Sequence, residues 1–235
     1  MLNPQRHTVV GRSARRQAGL SLVELMVGVA IGLFVVAGAT MVVINQLGDN
    51  RRLMLEAQIQ QDLRAASDLI SRDLRRAGYW GAAETGVWNA GAVSVASNPY
   101  TPMSATVSNV AASGVTFSYS RGAIENNAID ATDQSGFQLN NSSGVIEMRT
   151  GGGWQALTDG NTMRVTNFQI TLFQTDVALA CFNLCAGAPN CPPTQSVREF
   201  EVLINATAVS DAAVQRSVRS RVRLRNDVVV GACPA

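Results

Sequence analysis

From Leu25 to Ile44 the chain runs for twenty residues without a charged side chain, and no other feature restricts its fold so strongly. A helix rises about 1.5 Å per residue, so this run matches a hydrocarbon core of about 30 Å and predicts one membrane span. Glu24 stands directly before the run. A carboxylate at mid-bilayer costs about 2.5–3.5 kcal/mol, so an acid even near the edge points to a function and to a cation that pairs with it.

Charge is distributed unevenly about this run. Four of the 19 basic residues, Arg6, Arg12, Arg15 and Arg16, precede it with no acid among them. A cut near residue 19 therefore leaves 15 arginines against 17 acidic residues, a net charge of −2 instead of +2. Nucleic acid or another polyanion is not suggested as a partner. The basic leader predicts the N-terminus inside and the remainder outside. All 19 basic residues are arginine and the single histidine, His7, lies in the leader. Downstream of such a cut the chain lacks imidazole and ammonium groups, which excludes most hydrolytic triads and Schiff-base chemistry. At 235 residues the chain suits one membrane helix and one modest globular domain.

All four cysteines, Cys181, Cys185, Cys191 and Cys233, lie far beyond the span. Two disulfides in an oxidising compartment compete with four thiolates around zinc, and the outside location favours disulfides. Three connectivities remain open. A bond from Cys233 back to the 181–191 loop would secure a chain end that otherwise frays.

A secretory signal cut at Ala37-Gly38-Ala39 is one reading of the N-terminus, but Glu24 interrupts the apolar region and Met41, Val42, Val43 and Ile44 prolong it past that cut. The alternative is a cut before the apolar run. The string Gly19-Leu20-Ser21-Leu22-Val23-Glu24, following Arg15 and Arg16, resembles the type IV prepilin motif. The resemblance implies that a prepilin peptidase cuts after Gly19, on the cytoplasmic side, and methylates the new amine of Leu20. It also implies that Glu24 attracts the N-terminal amine of a neighbouring subunit during filament assembly. Physics agrees, because an unpaired charge in an apolar bundle is strongly disfavoured and a pair formed at one axial offset favours that offset. The competing reading leaves Glu24 at the membrane interface with its carboxylate in water. Gly28 and Gly32 fit small-xxx-small helix packing, although simple lipid-facing placement explains them equally well. Many major pilins carry a proline in this segment, whereas this chain has none from residue 5 to residue 98.

Beyond the span, Ile59, Leu63, Ala66, Ile70, Leu74 and Ala77 recur at helical spacing while Arg64, Asp68, Arg72, Asp73 and Arg75 fall elsewhere. This predicts an amphipathic helix which, if continuous with the apolar span, makes one helix from Leu20 to Ala77, with Gly78 as its C-cap. The segment from Ser71 to Gly81, ending in Tyr79 and Trp80 as an aromatic plug, resembles the helix end of PilW-type minor pilins. Such proteins are thought to prime pilus assembly. Alternating apolar residues predict strands at Val115-Phe117-Tyr119, around Val145 to Met148, at Phe168-Ile170-Leu172 and at Phe200-Val202-Ile204, with Pro189, Pro192 and Pro193 between the last two. Asn126 to Gly136, with Asp130 and Asp133, is read as a solvated loop and not as a calcium site, because EF-hand spacing is absent. In the last strand Val218, Ser220, Val222 and Leu224 share one face and Arg219, Arg221, Arg223 and Arg225 the other. That row is read as a charged edge that discourages aggregation, with a docking surface for an acidic partner as the alternative. The ending from Val222 to Asp227 is also similar to the last strand of PilW-type proteins.

The expected fold is α+β and type IV pilin-like, a long N-terminal helix packed on an antiparallel β-sheet. The expected organisation is a leader at 1–19, a membrane or filament-core half of the helix at 20–47, an amphipathic half at 48–78 and a periplasmic β-rich domain at 79–235. The family resemblance implies a non-enzymatic minor pilin without cofactor, processed by prepilin peptidase. Its implied partners are other minor pilins, the major pilin and the inner-membrane assembly platform. It would sit in the inner membrane before assembly and in the pilus afterwards, at the tip if it caps the fibre. A type II secretion pseudopilin and a membrane-anchored periplasmic binding protein are the rivals.

Overall fold

The computed structural model describes residues 19–86, 96–105, 107–122, 124–185, 187 and 190–234. The leader residues Arg6, His7, Arg12, Arg15 and Arg16, and Pro189 of the cysteine loop, lie outside the described residues. The chain divides into two units, Met1–Asn50 and Arg51–Ala235.

The α-helix α1 (Leu22–Leu74) runs through residues of both units. In the first unit it carries Gly28, Gly32, Gly38 and Gly48 and many β-branched residues, poor helix formers in water that become acceptable in lipid, where the backbone must bond to itself. From Arg51 to Leu74 there is neither glycine nor proline, and strong helix formers dominate. The helix ends at Leu74, earlier than the apolar spacing predicts. Its last turn tightens, with the Arg76 amide bonding to Asp73 O and the Ala77 amide to Leu74 O, each at 3.0 Å. Gly78 then turns at φ +73°, where a side chain would be strained, and donates its amide to Ser118 O at 2.9 Å.

Among the described residues, nine strands form two antiparallel sheets where one is expected. β2 (Gly114–Ser118), β3 (Gln134–Asn140), β4 (Val145–Thr150) and β5 (Gly153–Ala156) pair in sequence order. β1 (Ala111–Ala112), β6 (Met163–Ala178), β7 (Thr194–Ala208) and β8 (Gln215–Arg223) form the second sheet, in which β9 (Val228–Val230) also pairs with β7. β6 and β7 make a long hairpin whose register runs from Met163 opposite Ala208 to Ala178 opposite Thr194, with one irregularity between Val165 and Asn167.

The predicted stripe is the helix's contribution to the core: Ile59, Leu63, Ala66, Ile70, Leu74 and Ala77 are all buried. They join Val115, Phe117 and Phe137 from one sheet and Phe168, Ile170, Phe200, Val202 and Ile204 from the other. Each buried large aliphatic contributes about 1.5–3 kcal/mol, which explains why this face and no other is continuous. Polar contacts fix how the helix lies within this unit. Asp73 accepts from Tyr119 Oη at 2.9 Å and from Ser135 Oγ at 3.1 Å, so one carboxylate ties the helix end to β3 and to the residue just after β2. Ser67 donates to Ser220 of β8 at 2.9 Å. Glu56 takes both Arg52 and Arg216.

Arg198 departs from the sequence pattern. It occupies a core-facing position of β7 and is 5% exposed, with no carboxylate hydrogen-bonded to it among the described residues. Its guanidinium instead donates to Thr101 O at 3.2 Å and Asn226 O at 3.0 Å, joining two loops. Burial pulls its pKa down and the Asp227 charge opposes that.

Of the aromatic pair after the helix, Trp80 is buried and donates to Asn127 Oδ1 at 2.7 Å, whereas Tyr79 is 51% exposed, so only Trp80 plugs the core. Nearby, the Glu125 carboxylate accepts from the amides of Gly81 (2.9 Å) and Asn127 (2.8 Å) and from Tyr100 Oη (2.9 Å). Burial pushes this carboxyl up, but the bonds from Asn127, Ser120, Gly81 and Tyr100 outweigh it and bring the pKa down to about 2 from 4.5. Tyr100 is pushed up to about 12 by burial and by Glu125. A carboxyl depressed on folding stabilises the fold above its unfolded pKa, and that contribution disappears as pH falls through the folded value. Glu125→Gln is therefore expected to lower the thermal midpoint at pH 7, with the gap to the native chain closing between about pH 4.5 and pH 2. A gap constant across that range would show that Glu125 acts through packing alone.

The 126–136 stretch, expected to be a solvated loop, is loop only in its first part, because Ala131–Asp133 form a short 3-10 turn, β3 begins at Gln134 and Asp133 is buried. Asp133 accepts from the amides of Arg121 (3.0 Å) and Asp130 (2.9 Å), and Asp130 accepts from Asn126 (2.9 Å). Both carboxylates thus serve as turn caps.

Candidate functional site

The first unit carries the residues that the sequence singles out. Gly19 and Leu20 are exposed and lie outside the helix. Ser21 stops the helix from starting earlier. Its Oγ accepts the Glu24 amide at 3.2 Å and its carbonyl accepts the Leu25 amide at 3.1 Å, so Ser21 is the N-cap of α1. Ser21 and Glu24 have the S-x-x-E spacing of a capping box, a local signal that the reading of Glu24 as a purely intermolecular acid passed over. The carboxylate also lies in the first turn, at the positive end of the helix dipole. Glu24 is exposed and has no ion-pair partner among the described residues.

The apolar run that follows is bare. Leu22, Leu25, Ile31, Phe34 and Met41 are between 58% and 84% exposed, and none of the most apolar stretch of the helix is buried by the described residues. Surface of this kind is covered by lipid or by other helices. Its one hydroxyl, Thr40, satisfies itself by donating to Val36 O at 2.8 Å. A Cβ placed on Gly28 or Gly32 would meet no atom beyond its own helix turn within 4 Å among the described residues, so no packing there requires these glycines.

The cysteines belong to the second unit. Cys181 is bonded to Cys233 and Cys185 to Cys191, with Cα separations of 5.4 Å and 5.5 Å. The sulfurs of Cys181, Cys185 and Cys191 lie within 4.8 Å of one another, a spacing that thiolates around a metal would also show. All four sulfurs are engaged in disulfides, which leaves no thiolate to bind zinc. Cys233 ties the strand β9 segment to the mouth of the β6–β7 hairpin.

The arginines of β8 project from the outer face as the alternation predicts, and part of their charge is answered. Glu201 takes Arg221 at 2.8 Å and Arg219 at 3.7 Å, and Asp227 takes Arg223 at 3.0 Å. Glu201 is held below the usual carboxylate range by the Arg221 hydrogen bond, against a small burial effect.

Comparison with known proteins bears on both units. Residues 52–224 match the family model described as prepilin peptidase-dependent protein B. Residues 14–40 match the prokaryotic N-terminal methylation motif, which places Gly19, Leu20 and Glu24 inside the matched segment. No curated protein matches the chain, and no solved structure does.

Proposed function

Because the chain belongs to the prepilin peptidase-dependent protein B family, which matches more than half of it, and is a pilin-like protein with a methylation motif, we propose that it is a minor pilin of the PilW type. In this reading a prepilin peptidase cuts between Gly19 and Leu20, and the methylated amine of Leu20 keeps its positive charge. The chain waits in the inner membrane on the 20–47 helix segment, with the 48–78 segment and the 79–235 domain in the periplasm. It then enters a type IV pilus with other minor pilins and the major pilin through the inner-membrane assembly platform. It primes the fibre and can remain as its cap. Its role is structural, carried by helix packing through Gly28 and Gly32 and by pairing of Glu24 with a neighbour's amine.

One observation carries this reading. Glu24 is an acid with no ion-pair partner among the described residues, four residues from the amine that cleavage would create, at the head of an apolar helix whose described surroundings leave it exposed. Intact-mass measurement of the protein taken from membranes tests it. The expected species lacks residues 1–19 and carries one added methyl group. A chain that begins at Thr40, or that keeps its leader while present in pili, would overturn the proposal.

A further inference from the structure

We propose that the open edge of β8 accepts an extended strand from a different protein, one that carries carboxylates at alternate positions. The direction of the backbone groups comes first. The Leu224 amide donates to Arg198 O at 3.0 Å and the Ala208 amide to Val214 O at 2.9 Å, so even-numbered residues exchange hydrogen bonds with β7. Alternation along an antiparallel pair then turns the amides and carbonyls of Arg219, Arg221 and Arg223 away from β7. The Arg225 amide follows the same rule and reaches Arg75 O at 3.4 Å. No described strand pairs with this side of β8, and these three arginines have no backbone partner there among the described residues.

The same residues supply the charge. Their side chains occupy the outer face, and a groove of about 440 Å³ beside the edge is lined by Arg75, Arg221, Arg223 and Arg225 with Val222 and Leu224. Arg75 and Arg225 have no carboxylate within 4.0 Å among the described residues. An added strand would satisfy the unpaired edge and bring its own carboxylates opposite the guanidinium groups, which hold carboxylates in paired hydrogen bonds.

A second copy of this chain is not the occupant. Residues that exchange hydrogen bonds across two strands lie opposite each other with their side chains on one face. Two β8 edges would therefore set arginine against arginine, which is repulsive. The row is a barrier to self-association and an acceptor for an acidic stranger, so the two readings of it are one device seen from two sides. The site uses residues from Arg75 onward and operates whether or not the chain enters a filament.

The test uses the full chain in detergent micelles with its disulfides intact, and a fluorescent synthetic peptide of alternating Thr and Glu. Binding is expected to weaken roughly tenfold or more when Glu is replaced by Gln in the peptide, and equally in Arg221→Gln/Arg223→Gln protein. Methylating the peptide's Glu backbone nitrogens keeps every charge but removes the donors that face β8, and is expected to weaken binding to a similar extent. This last arm needs no protein variant. Equal binding of the Gln peptide, indifference to N-methylation, an unaffected double variant, or displacement of the peptide by duplex DNA at lower charge concentration would each overturn the proposal.

Discussion

Changing Glu24 to Gln is expected to leave the chain inserted in the membrane and to keep it out of filaments. Glutamine at this position preserves the S-x-x-E/Q capping pattern that starts α1, so the helix and its insertion are not impaired. What it removes is the negative charge. On the proposed reading that charge meets a methylated amine inside an apolar bundle, where removing one partner of a buried pair costs about 3–5 kcal/mol. A loss of that size lowers subunit incorporation by roughly a hundredfold to several thousandfold. Glu24→Ala is expected to lose incorporation to the same extent and to fray the first turn as well. Immunoblots of sheared pili against those of membranes measure the outcome. Normal incorporation of the Gln variant would confine Glu24 to its role at the helix start.

The second large effect concerns the bond between Cys181 and Cys233. It closes a loop with a sequence separation of 52, against 6 for Cys185 and Cys191. Chain-entropy estimates give about 4 kcal/mol for the longer loop and about 2 kcal/mol for the shorter. The longer one also holds β9 on β7, where only three residue pairs secure that strand. Cys181→Ser/Cys233→Ser is therefore expected to lower the thermal midpoint by about 8–16 °C. The Cys185→Ser/Cys191→Ser pair is expected to lower it by about half as much. Thermal unfolding of the oxidised full chain reads both, and the reverse ranking would show that the short loop organises the hairpin.

The elements that were legible in the sequence share one property, a periodic pattern with a single explanation. Ile59, Leu63, Ile70 and Leu74 recur on one helical face, and the runs through Phe168, Phe200 and Val218 alternate cleanly, so their buried faces could be assigned before packing was known. The sheet built from β2 to β5 was less legible. Its strands are short and its loops rich in Gly, Ser and Asn, so nothing in the sequence says that they form a layer separate from the long β6–β7 hairpin. Arg198 was hidden for a different reason. A charged residue in an alternating strand reads as exposed, and its burial depends on carbonyls of Thr101 and Asn226 that are remote in sequence. Asp73 likewise looks like a solvated helix acid until Tyr119 and Ser135 are brought to it. At the N-terminus the helix begins at Leu22, two residues later than the Leu20 start that the apolar run suggests, behind the Ser21 cap. The capping role of Ser21 needed only the three-residue spacing to be noticed.

On the proposed reading the chain sits in a fibre that is pulled, where the covalent link between Cys181 and Cys233 decides what traction can do to it. β7, β8 and β9 all lie between the two cysteines. Stretching the chain from its ends cannot draw these strands out, however far the rest unravels. Some 52 residues, about 180 Å of contour length, stay concealed until the sulfurs are reduced.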